Sequence, residues 1–440
     1  MELHLFQQRL GRHLFVACVC VMLVLWSFVA VLAQDIILDV GQEEPKGRWL
    51  ALPFAFPAES LGTAYGVAGG TSGYFQPQMG TFVAVLGSTN ESYATYLVFM
   101  DFQIPFFRRL FIDFKGSAGY FTDQRDYAGF NPDFPGERGG SNNSSADNYV
   151  QSEGQDDWFE LYFKYLLPIG HGRSAPINTY TLDQGLMVSG GTGGDIWNPL
   201  KSGRTNIEVM TFGRTRSWLV EDARKEGSTS GMQYALEYDN RDFRSNPSKG
   251  SLQRLALTRD FGLFESISPS TVVEADLRKY FSLGKTKTFR QRVLAVDFWT
   301  ADTPTWKVNQ TGEGPVITGR PASYLGATLG GFDRFRAYPQ QRFNDKAVIY
   351  YCAELRLIPE WNPLGDARWL RFLDIDWWQL VPLVEVGRVA EEWSLGDLHS
   401  DMKWDVGCGL RLMAKKAVLR LDTAFSDDSW GMWAMVGHPF

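Results

Sequence analysis

The chain has 440 residues, 21% of them charged, with a formal net charge of −7 and a pI near 5.4. That balance carries no electrostatic footprint for nucleic acid, which needs a basic patch or stripe. Aromatic residues reach 14% and glycine 44 positions; with short alternating runs, this favours one large barrel with aromatic girdles over two or three soluble domains.

Arg9, Arg12 and His13 precede the apolar run 14–32, and Val31-Leu32-Ala33 offers a small-residue cleavage site before Gln34. Residues 1–33 therefore read as a cleaved export signal, with an uncleaved anchor helix as the alternative because the run is long for a signal core. Cys18 and Cys20 leave with the signal, and no Cys follows the cleavage site to mark a lipoprotein. No later segment approaches about 18 uninterrupted apolar residues, so further crossings are expected by strands. Residues 34–49 form a short periplasmic lead of about 16 residues, where a separate domain needs roughly 50.

Alternation then predicts an all-β chain, a 16-stranded antiparallel transmembrane β-barrel over residues 50–440. The predicted strands are 50–56, 61–72, 79–89, 93–104, 109–121, 157–168, 203–214, 231–240, 250–260, 270–281, 288–300, 345–358, 379–391, 403–413, 416–425 and 430–440. Tyr96, Val98, Met100, Phe102 and Ile104 share one face and Asp101 and Gln103 the other. Leu161, Phe163 and Tyr165 oppose Glu160, Tyr162 and Lys164, and Ile349, Tyr351, Ala353, Leu355 and Leu357 oppose Tyr350, Cys352, Glu354 and Arg356. Full charges on the polar face of strand after strand suit a watery lumen.

With the first strand rising from the periplasm, the insert 122–156 and the loop 301–344 both fall outside the cell, where barrel loops are long. Two connections, 169–202 and 360–378, break the rule of short periplasmic turns. The second carries Trp361, Trp369, Trp377 and Trp378 and is expected to hold an interfacial helix, with a misassigned strand as the alternative.

The stretch from Gly330-Gly331-Phe332 to Arg336-Ala337-Tyr338 sits in the second long loop and sets an arginine among aromatics. It is followed by Ala353-Glu354-Leu355, Glu385-Val386-Gly387 and Gly407-Cys408-Gly409-Leu410-Arg411, and preceded by Tyr238-Asp239-Asn240-Arg241 and Asn246-Pro247-Ser248-Lys249-Gly250. In this order the motifs resemble the bacterial surface-antigen barrel superfamily, whose members include BamA, TamA and two-partner secretion transporters. The resemblance runs from about Leu50 to Phe440 and is strongest after Gly231. It implies a loop folded into the barrel, its arginine contacting acidic wall residues; with so short a lead, the chain is expected to be a short member without periplasmic POTRA domains. Arg336 matches the arginine, Tyr338 the aromatic, and Glu354 and Glu385 the acidic positions. Ala337 stands where the family has Gly, and Glu385 where Asp is more usual. Independently of the resemblance, Glu354 lies on the charged phase of its strand, and Gly387 beside Glu385 leaves space for an inserted loop. A carboxylate fork would fix a buried arginine in place.

Val436-Gly437-His438-Pro439-Phe440 resembles the C-terminal signal by which such barrels are recognised for insertion, with Val436 and Phe440 in the lipid-facing phase. Pro439 lacks a ladder donor, which fits an end strand paired only partly to the first strand. The resemblance implies that this seam is weak and able to open. Cys352 is expected toward the lumen and Cys408 toward lipid, unbridged and without metal-ligand spacing.

The expected function is assistance in inserting or translocating protein or lipid at the bacterial outer membrane. The partners would be outer-membrane lipids, a client polypeptide or lipid, and a separate periplasmic protein, with no cofactor. A passive pore or a structural outer-membrane protein is the alternative. An enzyme is disfavoured because the mature chain keeps only His171, His399 and His438, none beside a Ser in a strand core to form a nucleophile and base pair.

Overall fold

A computed structural model describes residues 35–58, 61–127, 131, 133–220, 223–266, 269–311 and 314–440. The proposed signal peptide and its cleavage site lie outside the described residues. Sixteen strands form one antiparallel sheet in chain order. They are β1 (Arg48–Ala58), β2 (Gly62–Ser72), β3 (Gly80–Ser88), β4 (Tyr93–Gln103), β5 (Leu110–Asp126), β6 (Val150–Leu166), β7 (Arg204–Val220) and β8 (Ala223–Asp239). The second half comprises β9 (Gly250–Asp260), β10 (Ser270–Ser282), β11 (Phe289–Asp302), β12 (Ala347–Pro359), β13 (Ile375–Ala390), β14 (Lys403–Ala414), β15 (Ala417–Phe425) and β16 (Trp430–Val436).

The two faces of this sheet are chemically distinct because the side-chain period of a strand is two. One cross-strand row runs Arg254, Asp276, Trp299, Tyr350 and Gly387 through β9 to β13. The neighbouring residues on the other face, including Leu255, Leu257, Val384, Trp404 and Val406, are exposed. An exposed apolar outer face around a polar interior, with backbone groups satisfied between strands, is the arrangement a bilayer requires. The sequence-predicted sixteen strands and the transmembrane barrel are thus the observed architecture.

Differences from the sequence reading have local causes. The β7 and β8 strands run on into a single hairpin paired from Arg204–Asp239 to Val220–Ala223, because polar residues such as Thr215, Ser217, Ser228 and Ser230 continue the ladder beyond the apolar band. In β4 a bulge between Phe99 and Phe102 shifts the phase. Tyr96 and Val98 pair with Ser117 and Lys115 on the lumen face, and Asp101, at φ 59, also reaches the interior. The simple division of this strand into an outer apolar row and an inner polar row is therefore corrected.

Asp101 and Asp113 clasp Lys164 there, each carboxylate at 2.6 Å from its ammonium. Replacing Lys164 by Met would leave two carboxylates facing each other, and we expect a loss of about 3 kcal/mol in urea unfolding. An unchanged midpoint would show that the clasp is neutral to stability.

The lead and the first long connection on the turn side are not separate tails. Strand Asp35–Asp39 runs parallel to Asn178–Asp183, which pairs with Leu186–Ser189. Arg204 bonds Asp35 at 3.2 Å and Lys416 bonds Asp39 at 2.6 Å, so this small sheet is tied to the rims of β7 and β15. The second connection holds a short helix, Pro363–Asp366, and a 3-10 turn, Arg368–Leu373. Trp377 and Trp378 belong to β13 instead.

At the end of the chain β16 stops at Val436, and Phe440 is buried with its ring against the Arg356 guanidinium, 5.0 Å from centroid to Cζ. The expectation that Phe440 faces lipid is therefore corrected. Gly437 adopts φ 81 and Pro439 cannot donate to a ladder, so the last residues leave the sheet and turn inward. Among the described residues no ladder joins β1 to β16.

Candidate functional site

The loop between β11 and β12 covers 303–346 and contains two small hairpins, Lys307–Thr311 with Gly314–Thr318 and Ala327–Leu329 with Phe343–Asp345. Its turn is made possible by Gly330 at φ 112 and Gly331 at φ 115, conformations that side-chain-bearing residues rarely take. A Cβ on Gly330 would stand 2.2 Å from the Pro339 carbonyl oxygen. The Gly331 N–H donates to the carbonyl of Tyr338 at 3.1 Å and the Tyr338 N–H to that of Phe335 at 3.0 Å, so the motif closes on itself. Phe335 takes the left-handed turn position, φ 59, whereas Ala337 does not. The methyl group at 337 therefore costs nothing in backbone strain.

Aromatic packing anchors this turn between the walls. The Phe335 ring lies 5.2 Å from Tyr338, 6.1 Å from Phe343 and 5.9 Å from Tyr350 of β12. Tyr338 also donates its hydroxyl to the Trp404 carbonyl at 3.3 Å. Across the loop, Leu329 approaches the space above Gly387: a Cβ there would stand 3.3 Å from its Cδ1.

Arg336 projects from the turn into a wholly enclosed set of carboxylates; its side chain and those of Glu354, Glu385 and Asp422 are all 0% exposed. Nη1 donates to Glu354 Oε1 at 2.8 Å and to Asp422 Oδ2 at 2.7 Å, while Nε donates to Glu385 Oε2 at 3.2 Å. The remaining nitrogen, Nη2, reaches Cys352 Sγ at 3.4 Å. Burial alone would depress the basicity of Arg336, but the Glu385, Asp422 and Glu354 carboxylates outweigh it and raise its pKa well above the ordinary value.

Backbone groups of the turn are held as well. The Arg336 N–H donates to Glu385 Oε2 at 2.8 Å and the Ala337 N–H to Asp405 Oδ2 at 3.0 Å. Trp433 Nε1 donates to the Arg336 carbonyl at 2.8 Å, and Ser429 Oγ to that of Ala337 at 2.6 Å. Gly431 permits this approach, since a Cβ on it would come within 2.1 Å of the Arg336 oxygen. The loop thus touches β12, β13, β14 and β16 by side chain or backbone and β15 through Asp422.

The anions are in turn shared with the wall. Glu354 accepts from Arg411 Nη2 at 2.7 Å and from Arg356 Nε at 2.8 Å, and Asp422 accepts from Arg420 Nη1 at 3.2 Å. Arg336, Arg356, Arg411 and Arg420 face the carboxyl groups of Glu354, Glu385, Asp405 and Asp422, so that ion pairing offsets part of the cost of burying the network. Arg356 also donates to the Phe440 carbonyl and Arg411 bonds His438 Nδ1 at 2.6 Å, linking the network to the residues after β16.

All seven sequence-predicted residues of the loop and wall, Gly330, Gly331, Arg336, Tyr338, Glu354, Glu385 and Gly387, fall in this one region. Arg356 and Arg411 were noted only as a polar-face residue and as the end of a motif, with no role at the site, and Asp405, Asp422, Arg420 and Trp433 were missed. A signal for most of them exists: Asp405, Gly407, Gly409 and Arg411 share a strand phase, as do Arg420 and Asp422. Val436 and Gly437 lie apart at the chain end, where the Gly437 N–H donates to the Val418 carbonyl at 2.8 Å, while Phe440 turns in to Arg356 and the buried cluster of Phe335 and Tyr338. Cys352 is buried beside Arg336 and Cys408 is exposed on the outer face, both unbridged.

No curated protein matches this sequence. Among solved structures, CdiB from Escherichia coli superposes with a TM-score of 0.53 at 10% identity, covering 90% of this chain and 61% of that one. BamA from Haemophilus ducreyi lacking POTRA domains 1-3 gives 0.45 at 10% identity, covering 90% and 71%, and CdiB from Acinetobacter baumannii gives 0.49 at 10% identity, covering 88% and 58%. The chain therefore spans about three fifths of the CdiB chains it resembles. Residues 170–319 match the sequence model of the Omp85 superfamily domain, and the sixteen-stranded barrel shares its fold with CdiB.

Proposed function

We propose that this barrel assists the insertion or translocation of polypeptide or lipid at the outer membrane, with the loop around Arg336 as a lock that keeps the lumen shut and the seam between β1 and β16 as the place of action. The single observation that supports this most is the joint occurrence of a lumen plug held by the buried ion pairs of Arg336 and of two strand edges that no ladder joins among the described residues. A passive pore has no use for enclosing an arginine and four carboxylates at its centre. An open edge, by contrast, offers free N–H and C=O groups to an incoming strand. The residues after β16 contact Arg356 and Arg411, so the lock and the end strand are mechanically connected. Export by a cleaved signal, and a separate periplasmic partner that delivers the client, belong to the same proposal.

The test is reconstitution of the full chain in vesicles with a urea-unfolded outer-membrane barrel as client. Acquisition of protease resistance by the client should be faster than with vesicles holding an unrelated closed barrel. Equal rates, together with a large steady current in planar bilayers, would support the pore instead.

A further inference from the structure

The outer face of the last strands is covered where a barrel would ordinarily meet lipid. Trp378, Leu412, Leu419 and Val436 form one row in register across β13, β14, β15 and β16, on the face opposite Arg411 and Arg420. Yet Leu412 and Leu419 are buried. They share a cluster with Leu370 and Leu373 of the 3-10 turn, and Leu364 and Ala367 pack against it. Leu50 and Leu52 of β1 belong to the same cluster, with Val436 of β16 packed on it. One apolar cluster therefore takes side chains from both margins of the unpaired seam. The Lys415 N–H, donating to the Leu373 carbonyl at 3.1 Å, pins the segment to the β14–β15 turn.

The geometry of the turn explains how it can do this. A 3-10 helix repeats every three residues, so Arg368-Trp369-Leu370-Arg371-Phe372-Leu373 separates into an arginine stripe, an aromatic stripe and a leucine stripe. The leucines are buried, while Arg368, Trp369, Arg371 and Phe372 are exposed, with Trp361 beside them. Arg368 and Arg371 make no ion pair among the described residues. The segment leads into β13, whose outer face carries the exposed Leu380 and Val384, which puts it at the edge of the lipid-facing band.

We propose that residues 361–373 are a seam latch seated on the membrane surface. The leucine stripe joins the first strand to the last strands, and the arginine and aromatic stripes bind the headgroup layer of anionic phospholipid. Two unpaired guanidinium groups complement lipid phosphate, and tryptophan and phenylalanine favour the interfacial depth at which the turn lies. Loss of that lipid contact would loosen the latch, so the surrounding membrane helps to set how readily the seam parts.

Two measurements on the full chain test this. Native mass spectrometry of the detergent-extracted barrel, titrated with phosphatidylglycerol or phosphatidylcholine, should show a preference for the anionic lipid of roughly 25-fold, about fivefold per arginine. The double substitution Arg368→Gln with Arg371→Gln should reduce it to less than about threefold. The same preference in both proteins, or none in the parent protein as expected of a surface meant for a protein partner, overturns the lipid assignment. Leu370→Ala should speed hydrogen exchange of β1 amides 48–52 by roughly tenfold while leaving amides 330–343 of the lumen loop unchanged. Unaltered exchange in β1 overturns the latch.

Discussion

Replacing Arg336 by alanine is expected to lower the unfolding free energy of the barrel by about 3–5 kcal/mol, the range for removing one partner of a buried ionic cluster. Glu354, Glu385 and Asp422 would lose the cation that approaches each of them within 3.2 Å, in a place no water reaches. Arg336→Lys should recover only part of the loss. An ammonium restores the charge but cannot direct Nε and Nη1 at three acceptors on three strands. The alanine variant should also show larger and less steady single-channel current, because the turn would keep only its backbone and aromatic contacts. Urea titration and planar-bilayer recording check the two halves, and a variant matching the parent in both would show that the arginine does not lock the loop.

The second large effect is expected at Glu354. Its two oxygens serve Arg336, Arg356 and Arg411, so Glu354→Gln leaves three buried guanidinium groups with one carboxylate fewer. The loss should equal or exceed that of Arg336→Ala, again about 3–5 kcal/mol, and exceed that of Glu385→Gln. In a double-mutant cycle, Arg336→Ala combined with Glu354→Gln should be less damaging than the sum of the single changes by roughly 2 kcal/mol, the mark of a direct contact. Additive losses would place Arg336 outside the network.

Much of the architecture was legible because a membrane barrel repeats one simple pattern. Each strand must show lipid one face and the lumen the other, and runs such as Ile349 to Leu357 state that alternation openly. The places that were not legible are those where period two is interrupted or extended. In β4 the bulge between Phe99 and Phe102 leaves Tyr96 and Val98 on the lumen face together with Asp101, a change of phase that a uniform alternation cannot anticipate. Residues 215–230 read as loop because serines and threonines there pair above the apolar band, where no hydrophobic signal marks a strand. Phe440 has the right spacing from Val436 to face lipid, but Gly437 and Pro439 end the ladder and redirect it.

The site shows the same division. Glu354 and Glu385 could be singled out since each follows the inward phase of its strand near the loop motif. Asp422 and Asp405 have that phase too, yet their distance in sequence from Arg336 hides the contact, and only the strand order brings β14 and β15 beside it. That Ala337 is tolerated could not be read from the sequence at all; it depends on Phe335 holding the positive φ.

Cys352 provides a native reporter for the central claim, since its thiol is buried beneath the turn with Arg336 Nη2 at 3.4 Å. The decisive measurement is the labelling rate of Cys352 by a membrane-impermeant maleimide in the folded barrel, with Cys408 replaced by Ser, for Arg336 and Arg336→Ala side by side. A locked loop predicts a protected thiol in the first and labelling faster by about 100-fold or more in the second. Equal rates in the two proteins would contradict the lock.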